Sequence, residues 1–182
     1  MNLNKYQWAA VAAALAAPSL FFFFKGHISS RRDTIQRLKN LSAFLLMIQY
    51  SEGTIGPNAY RMIYGGGLFN DFSRHPNRPV TKYGITSTAA GAYQFLYSTW
   101  LGLQQDLKLP DFSPPSQNKG AIELIRRRGE LDDVLAGRFS QAIYKCRKEW
   151  ASLPGAGYGQ QERSIKSLAT VYIKAGGNLT AA

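Results

Sequence analysis

The side chains able to do acid–base or nucleophilic work are few: 11 Asp and Glu, two His and one Cys. A Cys-His pair or a Ser-His-Asp triad would have to run through His27 or His75. His27 lies in the polar stretch "GHISSRRD", and His75, in "SRHPNRP", has no nucleophile motif around it, so surface or structural duty is expected of it. "YGGGLF" lacks the lysine and the spacing of a phosphate-binding loop. Cys146, in the helically spaced "SQAIYKCRKEW", reads as a small packed residue. With no ligand spacing around it, neither a metal nor a cofactor is expected. Carboxylate chemistry is what remains.

Glu52 has the most distinctive setting of the acids, in "QYSEGT", where an apolar helical stretch runs into a glycine. Two roles fit a carboxyl group there. Desolvated among apolar and aromatic neighbours, it would hold its proton toward neutral pH and serve as a general acid, for instance toward a glycosidic oxygen. Alternatively it would only cap loop amides. Asp71, in "LFNDF", is the single other carboxylate between Glu52 and Trp100. Glycoside hydrolysis generally needs a second carboxylate, so Asp71 decides whether that chemistry is open. Ser51 and Thr54 flank the acid and are placed to bond it or to cap the helix.

The elements that must position Glu52 are partly legible. Asp33 reads as a helix N-cap, after which Ile35, Leu38, Leu41, Leu45 and Ile48 recur at spacings of three and four, widened by Phe44, Leu46 and Met47. Such a helix belongs inside the fold, ending at Gly53. Residues 57–90 are rich in Gly, Pro, Asn and aromatics and read as short strands and turns. Further helices are expected over 87–105, 116–128, 130–136, 139–150 and 160–175, with Trp100 and Trp150 on apolar faces as core. The expected fold class is α+β and mainly helical.

The net charge of +11, from 22 Lys and Arg against 11 Asp and Glu, favours an anionic partner such as a wall polymer, lipopolysaccharide or acidic lipid. The basic residues are scattered, with short clusters only at Arg31-Arg32 and Arg126-Arg127-Arg128, and no nucleic-acid motif surrounds them. No nucleic-acid partner is expected. Residues 6–24 are uncharged and flanked by Lys5 and Lys25. Three readings compete for them: a cleaved signal peptide, an uncleaved and weakly hydrophobic signal anchor, which is preferred, and an alanine-rich helix packed on the domain. Pro18 weakens a spanning helix. The division expected is an apolar N-terminal helix and hinge over 1–30 and a catalytic domain over 31–182.

Five separated segments, "YSEGT", "YGGGLFNDFSRHP", "STAAGAYQFL", "LPDFSPPSQ" and "WASLPGAGYGQ", together resemble the lambda-type phage endolysins in the same order, from about Arg37 to Gly177. The resemblance implies a lysozyme-like fold to which the N-terminal segment is an addition. It implies that Glu52 is the catalytic acid and peptidoglycan glycan the substrate, cut between N-acetylmuramic acid and N-acetylglucosamine by lytic transglycosylation. It further implies substrate contacts from Gly91, Tyr93, Gln94 and Tyr158, to which Ser51 is added for its place beside the acid; a monomer acting on the bacterial wall from the periplasm is expected. Hydrolysis with Asp71 as second carboxylate stays open beside it. So does a non-enzymatic role, in which the basic surface and apolar helix disrupt membranes.

Overall fold

The computed structural model describes residues 31–180 apart from 83 and 160. The expectations for residues 6–24, and the expected division at residue 30, fall outside or at the edge of that range. No described helix is long and apolar enough to cross a membrane.

Helix α1 (Arg31–Ser51) runs through the middle of the fold. Its last three turns carry Leu41, Phe44, Leu45, Met47 and Ile48 into the core, each 2% exposed or less. Side chains of this size contribute about 1.5–3 kcal/mol apiece when fully buried. The expected apolar stripe is therefore real, but it starts one turn late: Ile35 is exposed, and burial begins at Asn40. Asp33 lies inside the first turn and not at the cap. Sequence cannot separate the two placements, because a carboxylate is favoured at the positive end of a helix in either.

A loop with two short 3-10 turns, Ala59–Arg61 and Tyr64–Gly66, leads into a small antiparallel hairpin. Strand β1 (Val80–Lys82) pairs with β2 (Ile85–Ser87), Thr81 opposite Thr86. This is the irregular β region expected over 57–90. The helical lobe follows: α2 (Tyr97–Leu107), α3 (Pro114–Arg127), α4 (Leu131–Ala136), α5 (Phe139–Cys146) and α6 (Ile165–Lys174). Helix α2 begins ten residues later than the sequence suggests. Ala90 and Phe95 exchange backbone hydrogen bonds of 3.0 and 2.9 Å, which closes a tight turn through Gly91 in place of a helix. Helix α6 starts at Ile165 because Ser164 caps it, accepting from the Ser167 amide at 3.2 Å.

Trp100 and Trp150 are both buried, as expected of core residues. Trp100 packs edge-on against Phe112, with ring centroids 4.6 Å apart. Helices α6 and α4 lie along α1 and hold it in register. Asn40, 2% exposed, makes the central polar tie: its Nδ2 donates to the Leu135 carbonyl at 3.0 Å, and its Oδ1 accepts from the Asn178 amide at 2.9 Å. Asn40→Ala removes the donor from the buried Leu135 carbonyl and the acceptor from the Asn178 amide, and should cost about 2 kcal/mol. Urea unfolding of the variant should show a lower midpoint at unchanged slope.

Candidate active site

Glu52 follows the last residue of α1, with its amide still bonded to the Ile48 carbonyl at 2.9 Å. Gly53, at φ +72°, then turns the chain out of the helix, which is the left-handed ending its type favours. The side chain of Glu52 is half-buried. Its polar partner is Ser152, whose Oγ donates to Oε1 at 2.5 Å, the length of a charge-assisted O–H···O bond. Burial raises the Glu52 pKa to about 7, against a smaller opposite pull from the Ser152 hydroxyl. No ion pair among the described residues involves Glu52. At neutral pH the group is therefore poised between acid and carboxylate.

The segment around Ser152 is fixed by several bonds. Trp150, two residues before it, donates from its ring nitrogen to the Tyr93 carbonyl at 3.2 Å. The Arg163 amide bonds the Ser152 carbonyl at 2.9 Å and closes the loop between them. Within that loop Glu162 accepts from the amides of Gly155 and Gly157 at 2.7 and 2.8 Å. Ser51 lies alongside: its Oγ donates to the Ile48 carbonyl at 2.8 Å and accepts from the Ser152 hydroxyl at 2.9 Å whenever that hydroxyl is not given to Glu52.

Of the residues expected at the site, the structure joins Ser51 to Glu52 through Ser152. None of the others has a hydrogen bond to Glu52. Asp71 is exposed and belongs to its own turn, where its carboxylate accepts from the Ser73 amide at 2.8 Å; that bond holds its pKa below the ordinary value. Gly91 is buried at φ +78°, and a Cβ there would come within 2.3 Å of Gln117 Oε1, so packing explains the glycine. Tyr93 is buried as well. It is 1% exposed, with its hydroxyl donating to Asn118 at 2.6 Å and accepting from Gln49 at 3.3 Å. This network braces the end of α1 from behind. Gln94, at φ +48°, turns its amide nitrogen onto the Gly91 carbonyl at 3.0 Å. Tyr158 is 59% exposed, its hydroxyl 3.5 Å from the Lys148 carbonyl, and no hydrogen bond joins it to Glu52. Thr54 ties the loop to the Ala92 carbonyl at 2.6 Å and does not bond the acid.

Sequence reasoning does not reach Ser152. It contacts Glu52 across 100 residues, and the only local sign is a small hydroxyl residue ahead of a glycine-rich loop. His75 is buried and structural, between the Phe95 carbonyl and the Asn77 amide. Cys146 is buried, and desolvation pushes its thiol to about 12, far from nucleophilic use. Among the described residues, no group of three His, Cys, Asp or Glu is placed to hold a metal ion.

A helical body with a small irregular β region, and a desolvated glutamic acid at the end of its central helix, defines a protein of the lysozyme-like class. The chain belongs to the endolysin family, whose model matches residues 42–179. It is 48% identical over 155 residues to the endolysin of Escherichia phage P2, covering 76% of this chain and 94% of that one. It is 44% identical over 144 residues to the endolysin of Escherichia phage lambda, covering 75% and 91%. Among solved structures it matches bacteriophage lambda lysozyme complexed with a chitohexasaccharide, at a TM-score of 0.75 and 42% identity, over 78% of this chain and 97% of that one.

The raised pKa of Glu52 has a stability consequence. The folded state binds the proton more tightly than the unfolded chain, whose reference is 4.5. Stability is therefore undiminished below pH 4.5 and falls as pH rises toward 7, where the folded group also ionises. Glu52→Gln removes this dependence. The variant should gain on the order of 2 kcal/mol over the native chain at pH 8, after allowance for partial solvent access, and little at pH 4. Unfolding curves at the two pH values check it.

Proposed function

We propose that the chain is a bacteriolytic enzyme that cleaves the β-1,4 bond between N-acetylmuramic acid and N-acetylglucosamine in peptidoglycan, with Glu52 as acid and then base. The observation that carries the reading is a carboxyl group with a pKa of about 7, free of any ion pair among the described residues and partly open to solvent. Membership of the endolysin family agrees with it. So does the likeness to a lambda lysozyme that was solved with a chitohexasaccharide bound.

In the first step the neutral carboxyl group protonates the bridging oxygen as the C1–O bond breaks and positive charge develops on the muramic ring. Glu52, now a carboxylate, is stabilised by the Ser152 hydroxyl 2.5 Å away. In the second step it takes the proton of the 6-hydroxyl of the same ring. O6 closes on C1, the product ends in a 1,6-anhydro ring, and Glu52 is again protonated. No water is consumed. One residue whose pKa lies near the operating pH serves both steps, since neither protonation state is costly to reach.

Hydrolysis would need a second carboxylate to activate water or to form a covalent intermediate. Asp71, the candidate for that role, spends its carboxylate on the Ser73 amide, which favours the anhydro route. The reaction site is the wall of a bacterial host, reached from the periplasm; the basic surface adds attraction to anionic wall material.

Glu52→Gln should lower wall clearing by about 1,000-fold or more while the fold persists, because the amide cannot deliver a proton. Product masses decide the route. Anhydro-terminated fragments, one water lighter than reducing-end fragments, are expected, and reducing ends would transfer the chemistry to hydrolysis.

A further inference from the structure

Arg163 has a setting unlike the arginines of the run from Arg126 to Arg128. Arg126 and Arg127 both pair with Glu123, Arg127 also reaches Asp106, and Arg128 pairs with Glu149, so the one conspicuous basic run is neutralised in place. Arg163 forms no ion pair among the described residues. Its neighbour Glu162 does not compensate it, because that carboxylate is taken up by the amides of Gly155 and Gly157 and senses Arg147.

The cation is nevertheless held. Its backbone amide is bonded to the carbonyl of Ser152, the residue that touches Glu52. Its guanidinium carbon lies over the ring of Tyr50, 5.3 Å from the centroid, and Tyr50 stands two positions before the acid on α1. A guanidinium resting on an aromatic ring keeps its planar fork of N–H donors oriented, so less conformational freedom is lost when an anion binds. The proton affinity of Glu52 is governed by burial and by Ser152, and not by this charge.

We propose that Arg163, seated on Tyr50, is a specificity residue that binds a carboxylate of the peptide stems carried by the muramic sugars. This rests on the glycan-cleaving function proposed above and names the part of the substrate that a bare chitin-type strand lacks. The peptide stems of peptidoglycan bear free carboxylates near the glycan chain, and a carboxylate is the planar anion that the arginine fork matches with two hydrogen bonds. The site is half exposed, so its contribution is that of one charge-assisted contact at a rim, with partial screening by salt.

The test compares two substrates: intact sacculi, and the same glycan strands freed of their stems by an amidase. Arg163→Ala should raise KM for the stem-bearing substrate about tenfold with kcat changed by no more than about twofold. The native preference for stem-bearing over stem-free strands should fall by the same factor and should weaken as salt is raised. Arg163→Lys should keep part of that preference, and Arg163→Gln, which preserves most of the stem length, should match Arg163→Ala and guards against a packing defect. The pH–rate profile should stay in place in all three. An equal slowing on both substrates, an undiminished preference, or a shifted pH profile would overturn the assignment. If the native chain cleaves neither substrate, the glycan-cleaving reading itself fails, an outcome distinct from any result on Arg163.

Discussion

A carboxyl group taken most of the way out of water and given one hydroxyl for company is the constraint around which this protein is arranged. Burial favours the neutral acid, the Ser152 hydroxyl favours the anion, and burial is the larger effect, so the pKa rises to about 7. An arginine in place of that hydroxyl would reverse the balance and hold the group ionised. A second hydroxyl or amide on Oε1 would move it in the same direction. The rest of the fold keeps both additions away while fixing the donor to within hydrogen-bond distance.

Rigidity behind the acid comes from polar ties as much as from apolar contact. Helix α1 is locked near its middle by Asn40 against α4 and the C-terminal tail. At its C-terminal end, Gln49, Tyr93, Asn118 and Tyr60 form a linked set of hydrogen bonds that joins α1 to α3. Gln117, fully buried, donates to the Phe112 and Tyr60 carbonyls and accepts from the Ala92 amide. It occupies the space that the missing side chain of Gly91 leaves open. Each donor satisfied in this way removes an alternative arrangement that would let Glu52 drift toward water.

What sequence reveals follows from the range of each interaction. The helical period and the closing glycine of α1 are local, so the helix, its burial and the exceptional position of Glu52 are legible from the residues alone. The turn from Ala90 to Phe95 is hidden, because "STAAGAYQF" has a helical composition and only the reciprocal bonds across Gly91 show that it is not a helix. Tyr93 and Gly91 illustrate a second limit. Resemblance places them near the site, but not which side of the wall they face, and both face inward. Ser152 illustrates the third: a contact spanning 100 residues has no signature in either partner's neighbourhood.

The basic character of the chain acts at another scale. Part of its charge is internally paired, as the run from Arg126 to Arg128 shows, while the net charge stays at +11. The central claim concerns the acid itself, and carbon-13 NMR titration of the glutamate side-chain carboxyls, with the Glu52 resonance assigned by its absence in Glu52→Gln, tests it most directly. The account predicts a midpoint at about 7. A midpoint at the ordinary value of 4.5 would contradict it, since the group would then be a solvated carboxylate with no proton to give at neutral pH.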